Sequence, residues 1–171
     1  YKSKKKQVAC ITYTNAAVDV IKSRLDSDSP IMPSTIHAFA WESMSRFQSS
    51  LLKIVKEKEL FPKSYKGEDI RKVKYNRGVR YIEDDCLFLF HNDVIEIFSE
   101  LLEMPKFRMV LADKFPVILI DEYQDSSKLI IDLFIKYYIE KDKGPQFGFF
   151  GDAWQTIYSS NGACGLIECD K

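Results

Sequence analysis

The sequence predicts an α/β fold with a parallel sheet flanked by helices. Val117-Ile-Leu-Ile120 is an apolar run without polar alternation, as a central parallel strand covered on both faces requires. Val8-Ala-Cys-Ile-Thr12 and Gln146-Phe-Gly-Phe-Phe150 are two further short apolar runs that read as buried strands. Between them lie segments with apolar residues at helical spacing, and strands that alternate with helices build parallel sheets.

Each element follows from local pattern. After the first strand, Ala16, Val20, Ile21 and Leu25 fall at helical spacing, with Asn15 as the expected N-cap. Asp26-Ser-Asp-Ser-Pro30 ends that helix with turn residues. Ser34-Thr-Ile-His-Ala-Phe39 reads as a second strand running into a helix that continues to about Lys58. Residues 57–82 lack clear periodicity. They carry most of the basic excess, interleaved with Phe61, Tyr65, Tyr75 and Tyr81. They read as an inserted, partly irregular subdomain or as a solvated basic loop. From Asp84 an apolar helix pattern runs to Met104, with Leu87, Phe90, Val94, Ile97, Phe98 and Leu101 on one face. His91-Asn-Asp93 is expected to cap a helix start. Pro105 starts a short helix, a further helix is expected over about Ser127–Glu140, and Gly144-Pro145 breaks it.

Composition narrows the function. The 171 residues are 46% hydrophobic and 29% charged, enough for a folded core. Twenty-five basic and 25 acidic side chains cancel. They are unevenly spread, with 17 basic against 8 acidic in residues 1–80 and the reverse in residues 81–171. The basic first half could face a polyanion. No apolar run approaches the roughly 20 residues that span a bilayer. The stretch after the N-terminal lysines is too short for a signal peptide. Cys10, Cys86, Cys164 and Cys169 form no CxxC pair and are expected as reduced, inert thiols of a cytoplasmic protein.

The sharpest chemistry lies at Asp121-Glu122-Tyr123-Gln124-Asp125, directly after the apolar strand. Ligands of open α/β sheets bind beyond the carboxyl ends of the strands. A carboxylate there can hold a Mg²⁺ ion bridging nucleotide phosphates, and a second can orient and deprotonate an attacking water. The plainer alternative is a pair of acids capping the next helix. At the end of the following strand, Gly151 permits close backbone approach, and Asp152 and Gln155 present polar groups toward the same edge. His37, beside Phe39 and Trp41, reads on its own as a packed core residue.

Four strings make a larger pattern: Thr12-Tyr-Thr-Asn15-Ala-Ala17, Ser34-Thr-Ile-His37-Ala-Phe39, Asp121-Glu-Tyr-Gln-Asp125 and Gly151-Asp-x-x-Gln155-x-Ile-Tyr158. In this order and rough spacing they resemble motifs Ia, Ib, II and III of superfamily 1 DNA helicases of the UvrD/Rep type. The resemblance covers Val8 to Ala163 and implies a RecA-like (P-loop NTPase) sheet with an inserted, mainly helical subdomain. Residues 1–42 would form the first part of the core, 43–104 the insertion and 105–171 the second part.

The resemblance also implies roles. Asp121 would hold Mg²⁺ through its water shell, and Glu122 would be the general base for water attack on the γ-phosphate of ATP. Gln124 and Asp125 would link the nucleotide site to the DNA groove, and Asp152 would join the nucleotide site. Gln155 would contact the γ-phosphate. Tyr13 would stack on a base of single-stranded DNA, while Thr12, Thr14 and Asn15 would meet its phosphates. Thr35 and His37, in the motif Ib match, would extend that DNA edge. ATP and Mg²⁺ are thus the implied cofactors. Single-stranded or partly duplex DNA and a second RecA-like domain of the same parent chain are the implied partners, with no membrane.

The departures are specific. The family commonly continues motif III with Tyr-x-Trp-Arg-Gly-Ala, whereas this chain has Tyr158-Ser-Ser160-Asn161-Gly162-Ala163. Ala153 and Trp154 replace two acidic positions, and Trp154 is expected to face the core. GxxxxGK[ST], which cradles nucleotide phosphates, is absent, because none of the seven glycines precedes a lysine. In the family that loop precedes motif Ia by one strand and one helix. The expectation is therefore an excised piece of a longer helicase, inactive alone. The competing class is a non-catalytic DNA-binding or interaction module that retains the fold. A nuclease finds no convincing metal-carboxylate cluster with a lysine.

Overall fold

A computed structural model describes residues 6–67, 69–76, 78–152, 154, 164–165 and 167. The chain divides into two compact units, Tyr1–Phe39 with Lys106–Lys171, and Ala40–Pro105.

The first unit is a parallel RecA-like α/β layer. Its strands are β1 (Val8–Thr12), β2 (Ile31–Thr35), β6 (Val117–Asp121) and β7 (Gln146–Phe150), in the spatial order β2-β1-β6-β7. All three pairings are parallel. Helix α1 (Asn15–Ser23) joins β1 to β2, and α2 (Ile36–Met44) leaves β2 without a break. Helix α5 (Pro105–Lys114) leads into β6. From β6 the chain passes through a 3₁₀ turn (Tyr123–Asp125), helix α6 (Lys128–Phe134) and a π-helical stretch (Ile135–Ile139) before reaching β7. The core forms on one sheet face, where Ala9, Ile11, Ile118 and Ile120 are buried with Phe39, Phe115, Ile130, Ile131 and Phe134. The Phe39 and Phe115 rings lie 5.2 Å apart, and Phe134 and Phe147 5.1 Å.

Several expectations change in detail. Asn15 is the first residue of α1 rather than its cap. Thr14 is the cap, because its backbone is extended (φ −116°, ψ 152°) and its Oγ1 accepts from the Ala17 N–H at 3.1 Å. The helix expected to reach Lys58 is broken at 45–47, so α2 ends at Met44 and α3 (Gln48–Glu57) begins anew. The Val117–Ile120 run is fully buried only at Ile118 and Ile120, while Val117 and Leu119 are half-buried. Strand β7, at the edge of the described sheet, is likewise half-exposed rather than buried. A continuous apolar run shows that a strand can be covered on both faces; it does not show that the second cover is complete.

The second unit holds the largest surprise. Residues 57–82 include strand β3 (Lys72–Tyr75) and the start of β4 (Tyr81–Glu83), and these two strands flank β5 (Cys86–Leu89) in a three-stranded sheet of order β3-β5-β4. The helix expected from Asp84 begins instead at His91, as α4 (His91–Leu102). Asp84-Asp85 forms a tight turn, with Asp84 in left-handed backbone (φ 54°), so β4 and β5 pair antiparallel with Glu83 opposite Cys86. Gln48 ties α3 to β3 through a two-point amide clasp. Its Oε1 accepts from the Val73 N–H at 2.8 Å, and its Nε2 donates to the Val73 carbonyl at 3.1 Å. Asp93 caps α4 as expected, its Oδ2 accepting from the Phe90 N–H at 2.9 Å. Arg80 Nη2 and Nε then close on Asp93 Oδ1 and Oδ2 at 2.6 and 2.9 Å.

Candidate functional site

Parallel pairing aligns the carboxyl ends of the four strands of the first unit. Thr12 is in register with Thr35, Ile11 with Ile120, and Asp121 with Phe150. The motif strings therefore emerge along one edge in the order Ser34–Phe39, Thr12–Ala17, Asp121–Asp125 and, of the fourth, Gly151-Asp152. Sequence separation of more than 100 residues is closed by three strand pairings.

At the Asp121 end, β6 stops in an abrupt turn. Glu122 has left-handed backbone (φ 51°, ψ 44°), and the 3₁₀ turn that follows is closed by Asp125 N–H to the Glu122 carbonyl at 3.0 Å. Non-glycine residues in this conformation carry strain and cluster at functional sites. Asp121 is half-buried and Glu122 exposed. Gln124 is buried at 1% exposure, and its Nε2 donates to Glu122 Oε2 at 2.6 Å. The Cys10 thiol is pushed above its usual range by burial and, secondarily, by the negative charge of Asp121 on the neighbouring strand. Cys164 is raised mainly by burial too, and its N–H closes onto the Ser126 carbonyl at 2.9 Å.

The oxygen donors here suit a hard cation. Mg²⁺ uses one or two protein carboxylates and takes much of the rest of its shell from substrate phosphates and water. Asp121 at a strand end, with Glu122 beside it, fits that donor set. Among the described residues no group of three or more His, Cys, Asp or Glu side chains forms a self-sufficient metal cage.

At the Thr12 end, two helices begin side by side. Thr14 caps α1, and Thr35 Oγ1 accepts from the Ala38 N–H at 3.4 Å at the start of α2. Tyr13, Thr14 and Asn15 are exposed and Thr35 and His37 half-buried, whereas Thr12 is buried in the strand end. The structure thus brings Tyr13, Thr14, Asn15, Thr35 and His37 to one stretch of edge, whereas Thr12 is not exposed there.

Beyond β7, Asp152 is exposed, and its Oδ1 accepts from the Trp154 N–H at 3.0 Å. Trp154 does not face the core: it is 97% exposed. Locally, Gly151 has a positive φ (152°) and the Trp154 N–H is held by the Asp152 carboxylate, next to the end of β7. Gln155 and Tyr158 lie outside the described residues. Gly151 packs against Gln124, where an added Cβ would overlap the amide oxygen, and no local pattern signals that contact.

The model of the UvrD/REP helicase N-terminal domain matches residues 42–165. The chain belongs to the UvrD/REP helicase family. The chain is also similar to the Gabija protein GajB of Bacillus cereus (strain HuB5-5), with 22% identity over 92% of the chain. The chain spans 37% of that protein's length. The parallel four-stranded sheet flanked by helices is consistent with the RecA-like fold of a UvrD/REP domain. Among the described residues no helix is long and apolar enough to cross a membrane.

Proposed function

We propose that the chain is the first RecA-like domain of an ATP-dependent DNA helicase or translocase, one that couples ATP hydrolysis to movement on single-stranded DNA in the cytoplasm. The observation that carries the reading is the alignment of the motif strings along one carboxyl edge of a parallel sheet. Asp121 holds the cation that accompanies ATP. Mg²⁺, when bound, neutralises charge on the phosphate oxygens. Glu122 orients the attacking water and takes its proton. Asp152 borders the nucleotide, and Gln155 hydrogen-bonds the γ-phosphate and reports its presence. Tyr13 stacks on a base, and the N–H groups at the starts of α1 and α2 meet phosphates beside Thr14, Asn15, Thr35 and His37. The inserted second unit, residues 43–104 in the sequence reading, belongs to the same domain.

A phosphate-gripping GxxxxGK[ST] loop and a second RecA-like domain with its arginines come from the rest of the parent, so the 171 residues alone do not turn over ATP. Steady-state ATPase of the full-length parent, with and without single-stranded DNA, tests the reading. DNA-stimulated turnover that Glu122→Gln abolishes supports it, and a parent with no ATPase favours a non-catalytic module.

A further inference from the structure

We infer that Gln124 is a positioning residue that aims the Glu122 carboxylate along the edge of the sheet, and that Gly151 provides its seat. The inference rests on the reading of Glu122 as the base.

Glu122 is exposed, and an exposed glutamate samples several rotamers. Among the described residues, the hydrogen bond that fixes its carboxylate comes from Gln124 Nε2, at 2.6 Å. Gln124 itself has little freedom. It is 1% exposed, and its backbone carbonyl accepts from the Gly165 N–H at 3.1 Å. The next turn bond, Ser126 N–H to the Tyr123 carbonyl at 3.0 Å, holds the loop around it. A rigid buried side chain therefore grips a mobile exposed one.

The cost of the arrangement identifies its purpose. Among the described residues, Gln124 Oε1 is buried without a hydrogen-bond partner. A buried acceptor without a donor is unfavourable, and a methionine or leucine would fill the same space without that penalty. Turning the amide over would set its oxygen against the Glu122 carboxylate and lose the short bond. The orphaned oxygen is thus the consequence of directing the nitrogen at Glu122. Gly151 makes this orientation possible, since its φ of 152° suits glycine and any Cβ would overlap Oε1. An amide is also the right chemistry for the task. Lysine or arginine would hold the carboxylate as an ion pair and blunt it as a base, whereas an amide donates without charge and does not titrate.

The experiment uses the full-length parent and four variants: Glu122→Gln, Gln124→Met, Gly151→Ala and the Glu122→Gln/Gln124→Met double. It measures kcat for ATP hydrolysis and, separately, equilibrium nucleotide affinity. Gln124→Met keeps the length and loses the donor; Gly151→Ala keeps both side chains and displaces the amide. Each is expected to lower kcat by about tenfold to a hundredfold, the scale of a small misplacement of a catalytic group, with nucleotide affinity held within about twofold. In the Glu122→Gln background, Gln124→Met should cost nothing further, because the carboxylate it aims is gone. Unchanged kcat in Gln124→Met and Gly151→Ala, beside an inactive Glu122→Gln, overturns the positioning role. So does additive loss in the double variant, or loss of nucleotide affinity in step with kcat, which marks a merely structural residue. Normal turnover by Glu122→Gln instead overturns the reading of Glu122 as the base.

Discussion

The Tyr138 hydroxyl donates a hydrogen bond to the Arg108 carbonyl oxygen at 3.0 Å, tying the π-helical stretch after α6 to helix α5. Tyr138 is 4% exposed, and burial pushes its phenol well above the ordinary range, with the Arg108 charge pulling weakly the other way. The folded chain therefore keeps this proton at a pH where the unfolded chain has released it. Its contribution is complete below about pH 10, the unfolded tyrosine value, and is lost as pH rises through the folded one. Tyr138→Phe should cost about 1 kcal/mol at neutral pH through the lost hydrogen bond, and should flatten the alkaline decline. Urea midpoints at neutral pH and above pH 10 check both, and an equally steep decline in the variant contradicts the assignment.

In the second unit the Arg80–Asp93 pair should dominate local stability. Asp93 has 5% and Arg80 27% side-chain exposure, so the pair is mostly sheltered. The same carboxylate also caps α4 through the Phe90 N–H. Asp93→Ala removes both contacts and leaves the guanidinium without its two-point partner. Breaking a fully buried pair costs about 3–5 kcal/mol, and the partial exposure of Arg80 places this one near or below about 3. Faster amide exchange of α4, with the first unit's sheet unchanged, is the expected result.

Two tyrosines separate the proposed DNA edge from the rest of the surface. Tyr13 is 43% exposed at the carboxyl end of β1. Tyr137 belongs to the stretch that returns the chain to the start of β7, at the opposite edge of the sheet, with the Arg108 guanidinium 4.0 Å from its ring centroid. Base stacking is worth about 1–3 kcal/mol, so Tyr13→Ala should weaken single-strand binding by about fivefold to 150-fold, and Tyr137→Ala should leave it unchanged. Fluorescence anisotropy with a labelled oligonucleotide, repeated at two salt concentrations, measures this. Equal losses from both changes remove Tyr13 from the interface.

The parallel sheet was legible because its strands are short apolar runs and their motif residues sit at strand ends. Val117–Ile120 and the Asp121–Asp125 string needed no tertiary information to be placed. The small sheet of the second unit was not legible. Lys72-Val-Lys-Tyr75 alternates over only four residues, and Cys86–Leu89 continues in sequence into the apolar face of α4, so helical spacing absorbed it. Pairing with β3, which is non-local to the run, and the left-handed turn at Asp84, which apolar spacing does not reveal, decide it. At the site, residue types told which groups bear chemistry. They could not tell that Thr12 turns inward, that Trp154 turns outward, or that Gln124 closes on Glu122. Those facts depend on side-chain direction at strand ends, where periodicity stops.

The most direct test of the nucleotide-site assignment compares Glu122→Gln and Gln155→Ala in the full-length parent, by steady-state ATPase with and without single-stranded DNA beside nucleotide affinity. Glu122→Gln should bind ATP nearly as well as the unaltered protein while turnover falls by about 10²–10⁴, the loss of a positioned base. Gln155 carries an amide that cannot act as a base, so Gln155→Ala should keep part of the basal ATPase and lose much of its stimulation by DNA. Normal turnover by Glu122→Gln, or full DNA stimulation and unwinding by Gln155→Ala, would contradict the roles assigned to them.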